Sequence, residues 1–74
     1  MKSKDFIRIL NKYNKKYPEA NIYYLTDLSE SNLIEVRKTG LVFAPEAQVN
    51  QNNINPEDCI KEQSEGYLPI IILG

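Results

Sequence analysis

Ser3-Lys4-Asp5-Phe6-Ile7-Arg8-Ile9-Leu10-Asn11-Lys12-Tyr13-Asn14-Lys15-Lys16-Tyr17-Pro18 is the stretch that decides the fold. At 100° per residue, Phe6, Ile7, Ile9, Leu10, Tyr13 and Tyr17 fall in one arc roughly 160° wide. Lys4, Arg8, Lys12, Lys15 and Lys16 fall in the opposing arc. The pattern predicts an amphipathic helix over residues 3–17, with Ser3 as N-cap and Asp5 favoured by the dipole in the first turn. Pro18 ends it, because the residue before a proline is pushed out of the α region.

Outward from the helix, residues 21–26 are rich in β-branched and aromatic side chains and predict a strand. Residues 33–37 and 41–44 read as two more strands around a Lys38-Thr39-Gly40 turn, in which Gly40 would supply a positive φ. A rival reading makes residues 30–38 a helix capped by Ser29 and stopped by Gly40. The alternation of Ile34 and Val36 with Glu35 and Arg37 favours the hairpin. The amide-rich residues 48–56 predict a mobile loop. Residues 58–63 read as a strand or a single helical turn. Residues 67–73 read as a final strand, in which Pro69 belongs at an edge or a bulge. The expectation is one small α+β domain spanning residues 1–74, with the helix packed on an antiparallel sheet of four or five strands.

The faces of that sheet pose a problem. A helix about 10 Å across covers roughly two strands spaced about 4.8 Å apart. Yet the first strand is apolar on both faces, with Ile22 and Tyr24 opposite Tyr23 and Leu25, and so is the last. A sheet covered on one side normally alternates apolar with polar. Either residues 45–57 cover the second face, or it is an exposed patch that recruits a partner or another copy of the chain through Tyr23 and Leu25.

At 74 residues the chain makes one domain, and a domain this small buries only about 60% of its unfolded surface. Cys59 is the sole cysteine, so no internal disulfide can staple the fold, which favours a reducing compartment. The longest aliphatic run, residues 70–73, is far below a membrane span, and the N-terminus lacks a signal-like apolar run. A cytoplasmic protein with no membrane partner is the expectation. The net charge of −1 hides an asymmetry: residues 1–17 carry six cations against one carboxylate, residues 18–74 three against nine.

Chemistry is sparse. Without histidine the commonest general base and metal ligand is missing, and Ser-His or Cys-His nucleophiles are excluded within the chain. Cys59 stands outside any metal-ligand spacing, and the neighbouring Glu57 and Asp58 oppose a thiolate. Paired carboxylates such as Asp27 with Glu30 lack the loop pattern of a calcium site. No phosphate-cradling glycine loop exists. The expectation is no catalytic residue, no metal, no cofactor and no small-molecule substrate.

The basic arc of Lys4, Arg8, Lys12, Lys15 and Lys16 offers phosphates a track. Against that, it carries no interleaved aromatic, and a sequence pI near 5.3 argues for a solvated face linked to the acidic remainder. The separation of apolar and basic arcs also suits a membrane-surface helix, but two tyrosines on the apolar arc and a strand directly after it favour a core-facing role.

The segments Lys4-Asp5-Phe6-Ile7-Arg8-Ile9-Leu10 and Pro18-Glu19-Ala20-Asn21-Ile22-Tyr23, followed by a terminal apolar strand, resemble short uncharacterised proteins of phages and mobile elements. The resemblance covers residues 4–25 and 58–73, and the Asn-rich residues 48–56 depart from it. It implies an accessory protein that acts by binding, including an inhibitor of a host defence system. The sequence thus leads to a non-enzymatic protein-binding or assembly module, with a nucleic-acid-associated role through the basic helix face as the alternative.

Overall fold

In a computed structural model of the chain, residues 1–24 and 35–74 are described. Helix α1 (Ser3–Lys16) is followed by strands β1 (Asn21–Tyr24) and β2 (Thr39–Pro45). A short helix α2 (Glu46–Asn50), a 3-10 turn (Pro56–Asp58) and strand β3 (Tyr67–Leu73) complete the order. Among the described residues the sheet has three strands in the order β1-β3-β2, with β1 parallel and β2 antiparallel to β3. A four- or five-stranded antiparallel sheet is therefore corrected to a three-stranded mixed one.

The missing strands have local causes. Thr39 and Gly40 do not turn; they continue β2, pairing with Leu73 and Ile72. Residues 35–38 have no regular structure, and Arg37 and Lys38 donate to the Gly74 carbonyl at 2.8 and 3.0 Å. The rest of the proposed 33–37 strand, residues 25–26 of the first strand and most of the rival 30–38 helix lie outside the described residues. Residues 58–63 form no strand: the 3-10 turn occupies their start, and Ile60 makes one isolated bridge to Phe43. The helix begins at Ser3 itself, with Lys2 as N-cap and no side-chain cap, rather than being capped by Ser3. Its C-cap is Tyr17, whose N–H reaches the Tyr13 carbonyl at 2.8 Å.

The double-sided apolarity of residues 70–73 is explained by position. β3 is the central strand and is covered from both sides, which calls for a continuous apolar run rather than alternation. Ile70 and Ile71, pointing to opposite faces, are both buried, and with Phe43 and Ala44 they form the core.

Pro69 fits because of how its partner is used. Phe43 lies opposite Pro69, but its N–H and C=O bond Ile60 on the far side of β2. In antiparallel alternation a pair that does not exchange hydrogen bonds makes no demand on the proline nitrogen. On the other side β1 starts only opposite Ile70.

Residues 46–59 fold back over the sheet face away from α1. They are not an unstructured loop. The Gln48 side chain donates to Asp58 at 2.7 Å and accepts from the Asn55 N–H at 2.9 Å, while the Asn55 side chain accepts from the Glu57 N–H at 3.1 Å. The amides thus satisfy the main chain of one another's turns. Asn52, at φ +53°, adopts the left-handed conformation that asparagine tolerates. Glu46 N–H donates to the carbonyl of Gly66, whose φ of +80° closes the return into β3.

Candidate functional site

Helix α1 lies over β2, not centrally over the sheet. The Tyr17 ring meets Phe43 edge-on, with centroids 5.7 Å apart and planes at 82°, a favoured aromatic geometry. Phe6, Ile9, Leu10, Tyr13 and Tyr17 are half-buried, while Ile7 remains exposed. This off-centre seat gives α1 two different flanks.

The first flank faces β1. A cavity of about 240 Å³ lies between the helix residues Leu10, Asn11, Asn14 and Tyr17 and the sheet residues Ile22 and Ile71. Ile22 is 52% exposed and Tyr24 is 68% exposed. Ile22 borders the cavity on the side of the sheet that carries α1, whereas Tyr24, at the strand's end, borders the cavity of the opposite face with Tyr23, Asn52 and Ile54. Ile7 lies one helical turn beyond Leu10 and Asn11 on the same helix face, so it extends the apolar strip. Among the described residues nothing pairs with the outer edge of β1.

The second flank faces residues 61–63. There a cavity of about 410 Å³ is bounded by Lys12, Tyr13, Lys16 and Tyr17 of the helix region, Leu41 and Phe43 of β2, and Lys61, Glu62 and Gln63. The Lys16 ammonium stands 5.4 Å from the centroid of the Tyr17 ring, within cation–π range. The Tyr17 hydroxyl donates to Gln63 at 3.5 Å. The hydrogen-bond exchange between Phe43 and Ile60 holds Lys61 beside the helix.

The residues expected to bind are placed unevenly by this geometry. Tyr23 is half-buried on the face covered by residues 46–59, where it borders a cavity with Ile54, Pro56 and Cys59. Leu25 lies outside the described residues. Lys4, Arg8, Lys12, Lys15 and Lys16 are all exposed on α1. Arg8 pairs with Asp5 at 3.4 Å on its own helix. Among the described residues no carboxylate lies within ion-pair distance of the four lysines, so the expected salt links to the acidic remainder do not form there. Lys12 and Lys16 border one cavity with Lys61; Lys4, Arg8 and Lys15 do not border it.

Two features have no counterpart in the sequence pattern. The exposure of Ile22 and Tyr24 follows from a helix too narrow for three strands, but only the strand order says which strand is left out. The approach of Lys61 to Lys12 and Lys16 has no local signal, since it depends on a bridge between residues 17 positions apart.

Titratable chemistry is modest. Burial, and then the Asp58 charge, push the Cys59 thiol above its ordinary value. The Met1 ammonium donates to Glu35 at 2.5 Å and to the Val36 carbonyl at 2.6 Å. That hydrogen bond and the ammonium charge hold the Glu35 carboxyl below its ordinary value. Among the described residues no group of three metal-ligating side chains gathers, and no helix is long and apolar enough to cross a membrane.

No known protein family, curated protein or solved structure matches this chain.

Proposed function

We propose that this chain is a non-enzymatic protein-binding module that takes up an extended segment of a partner protein along β1. The carrying observation is the exposure of Ile22 and Tyr24 on a strand with no outer neighbour among the described residues, Ile22 bordering an apolar groove. A strand edge offers main-chain donors and acceptors to an incoming strand, and alternate side chains then select the sequence. The Asn11 and Asn14 amides on the helix wall supply further polar partners for a peptide main chain. Exposed apolar side chains gathered along such a strip are the usual mark of an interaction surface.

This reading moves the docking surface from the face of Tyr23 to that of Ile22 and the exposed end of β1 at Tyr24. It keeps the accessory role that the resemblance implies, including inhibition of a host defence system, since inhibition requires only occupation of a partner.

The test is selection of binding peptides from a random library, followed by amide shift mapping on the protein. Selected peptides should perturb residues 21–24 and 7–14, and Ile22→Asp should abolish their binding. Shifts confined to other surfaces would overturn the proposal. A two-fold dimer in sedimentation, disrupted by Ile22→Asp, would replace the foreign segment with a second copy.

A further inference from the structure

The flank of α1 away from β1 carries a separate feature that the protein-binding reading does not use. Three lysines from two distant parts of the chain line one groove together with aromatic residues: Lys12 and Lys16 from α1, and Lys61 from the segment pinned to β2. Lining it are the rings of Tyr13 and Tyr17, with the buried Phe43 beneath. Among the described residues Glu62 is the one carboxylate there. Like charges gathered in this way raise the local positive potential and favour an anion.

We infer that this groove binds single-stranded nucleic acid, with one base against the tyrosines and the phosphates carried by Lys12, Lys16 and Lys61. Three observations favour a strand over a small anion. First, the groove continues into the helix stripe of Lys4, Arg8, Lys12 and Lys16, whose members are four residues apart and so rise about 6 Å at each step. An extended polyanion can follow such a stripe, whereas an isolated phosphate gains nothing from it. Second, the walls combine aromatic rings with cations, the pairing on which bases stack while the backbone is neutralised. Third, the volume of about 410 Å³ falls in the range of ligand-sized sites. A duplex would keep its bases stacked inside and could not use the rings.

Distant carboxylates of the acidic remainder weigh less on this groove than its own lining does. Screening over about 8–10 Å at physiological ionic strength limits exposed charges to their near neighbours. Among the described residues the groove itself is lined by three lysines against the single carboxylate of Glu62.

Fluorescence anisotropy of a labelled 12-mer of deoxythymidine with the full chain tests the inference, at several salt concentrations. Binding should weaken with salt, with a logarithmic slope at least as steep as about −2, the value for three neutralised phosphates on a single strand, since Lys4 and Arg8 add to the groove lysines. Lys61→Ala should reduce the magnitude of that slope by about 0.7 and weaken binding roughly fivefold, as loss of one exposed ion contact does. Glu62→Gln should tighten binding. Both positions are exposed, so circular dichroism should report an unchanged fold.

Competition separates the modes. An unlabelled single strand should displace the probe, while a duplex of equal length and an abasic phosphate strand should do so poorly. Absence of binding at low salt would overturn the inference. So would binding indifferent to both Lys61→Ala and Glu62→Gln, or equal competition by the duplex.

Discussion

Phe43 and Ile60 exchange both of their main-chain hydrogen bonds, at 2.8 and 2.9 Å, on the side of β2 away from β3. This single bridge does three things. It occupies the polar groups of Phe43 that would otherwise meet Pro69, it shields part of an edge, and it sets Lys61 beside α1. Its amides should therefore exchange slowly with solvent, since both donors are paired over a core residue. Native-state hydrogen exchange should find Phe43 and Ile60 more protected than Lys61 and Glu62. Equal protection across residues 60–62 would contradict the bridge.

The core is narrow, so its members are costly to trim. Ile70 is 1% exposed on the central strand. Ile70→Val should cost about 0.5–1.5 kcal/mol and Ile70→Ala about 2–5 kcal/mol. The larger loss is a considerable part of the stability of any small domain. Urea unfolding followed by circular dichroism measures both; near-zero effects would mean that the second face is not packed.

Ile22 and Tyr24 predict the opposite balance. Both are more exposed than buried, and exposed substitutions commonly change stability by no more than about 0.5 kcal/mol. Tyr24→Ser should leave the melting temperature nearly unchanged while removing most peptide binding. A large destabilisation would place the side chain in the core instead of at an interface.

Two positive-φ residues should respond differently to substitution. Gly66→Ala puts a β-carbon into the left-handed region and should cost about 1–2 kcal/mol, although nothing lies within 4 Å of the added atom. Asn52→Gly relieves the same backbone constraint, at the expense of greater freedom in the unfolded chain. Its stability should change far less. Parallel thermal melts of the two variants distinguish backbone strain from loss of packing.

Two groups make the pH behaviour explicit. A carboxyl whose pKa falls on folding contributes stability above the ordinary carboxyl range and loses it as pH drops through the lowered value. Glu35 is such a group, so Glu35→Gln should remove a small part of the acid sensitivity near and below about pH 4. Carboxyl NMR titration reads its midpoint directly. Conversely, the raised Cys59 pKa keeps the thiol protonated at neutral pH. Iodoacetamide should modify it more slowly than free cysteine at about pH 8, and Asp58→Asn should accelerate the reaction. An alkylation rate above that of free cysteine would refute the assignment.

Local pattern was enough for the elements that a single stretch of chain can specify. Residues 3–17 announced an amphipathic helix because their spacing matches one turn geometry, and residues 67–73 announced a strand apolar on both faces, though not whether its second face was covered. Pro69 reads as the mark of an edge or a bulge, yet it sits in the central strand opposite Phe43, whose main chain bonds Ile60 instead. Pairing was different in kind. Gly40 reads as a turn residue in isolation, but opposite Ile72 it is simply strand, because register is set by the partner. The amides of residues 48–56 read as a loop until Gln48, Asn55 and Asp58 are brought together to bond one another. The direction of β1 beside β3, the off-centre seat of α1, and hence the exposure of Ile22 and the meeting of Lys61 with Lys16, belong to the tertiary structure. They depend on contacts between residues tens of positions apart, and one-dimensional periodicity carries no information about which distant segments meet.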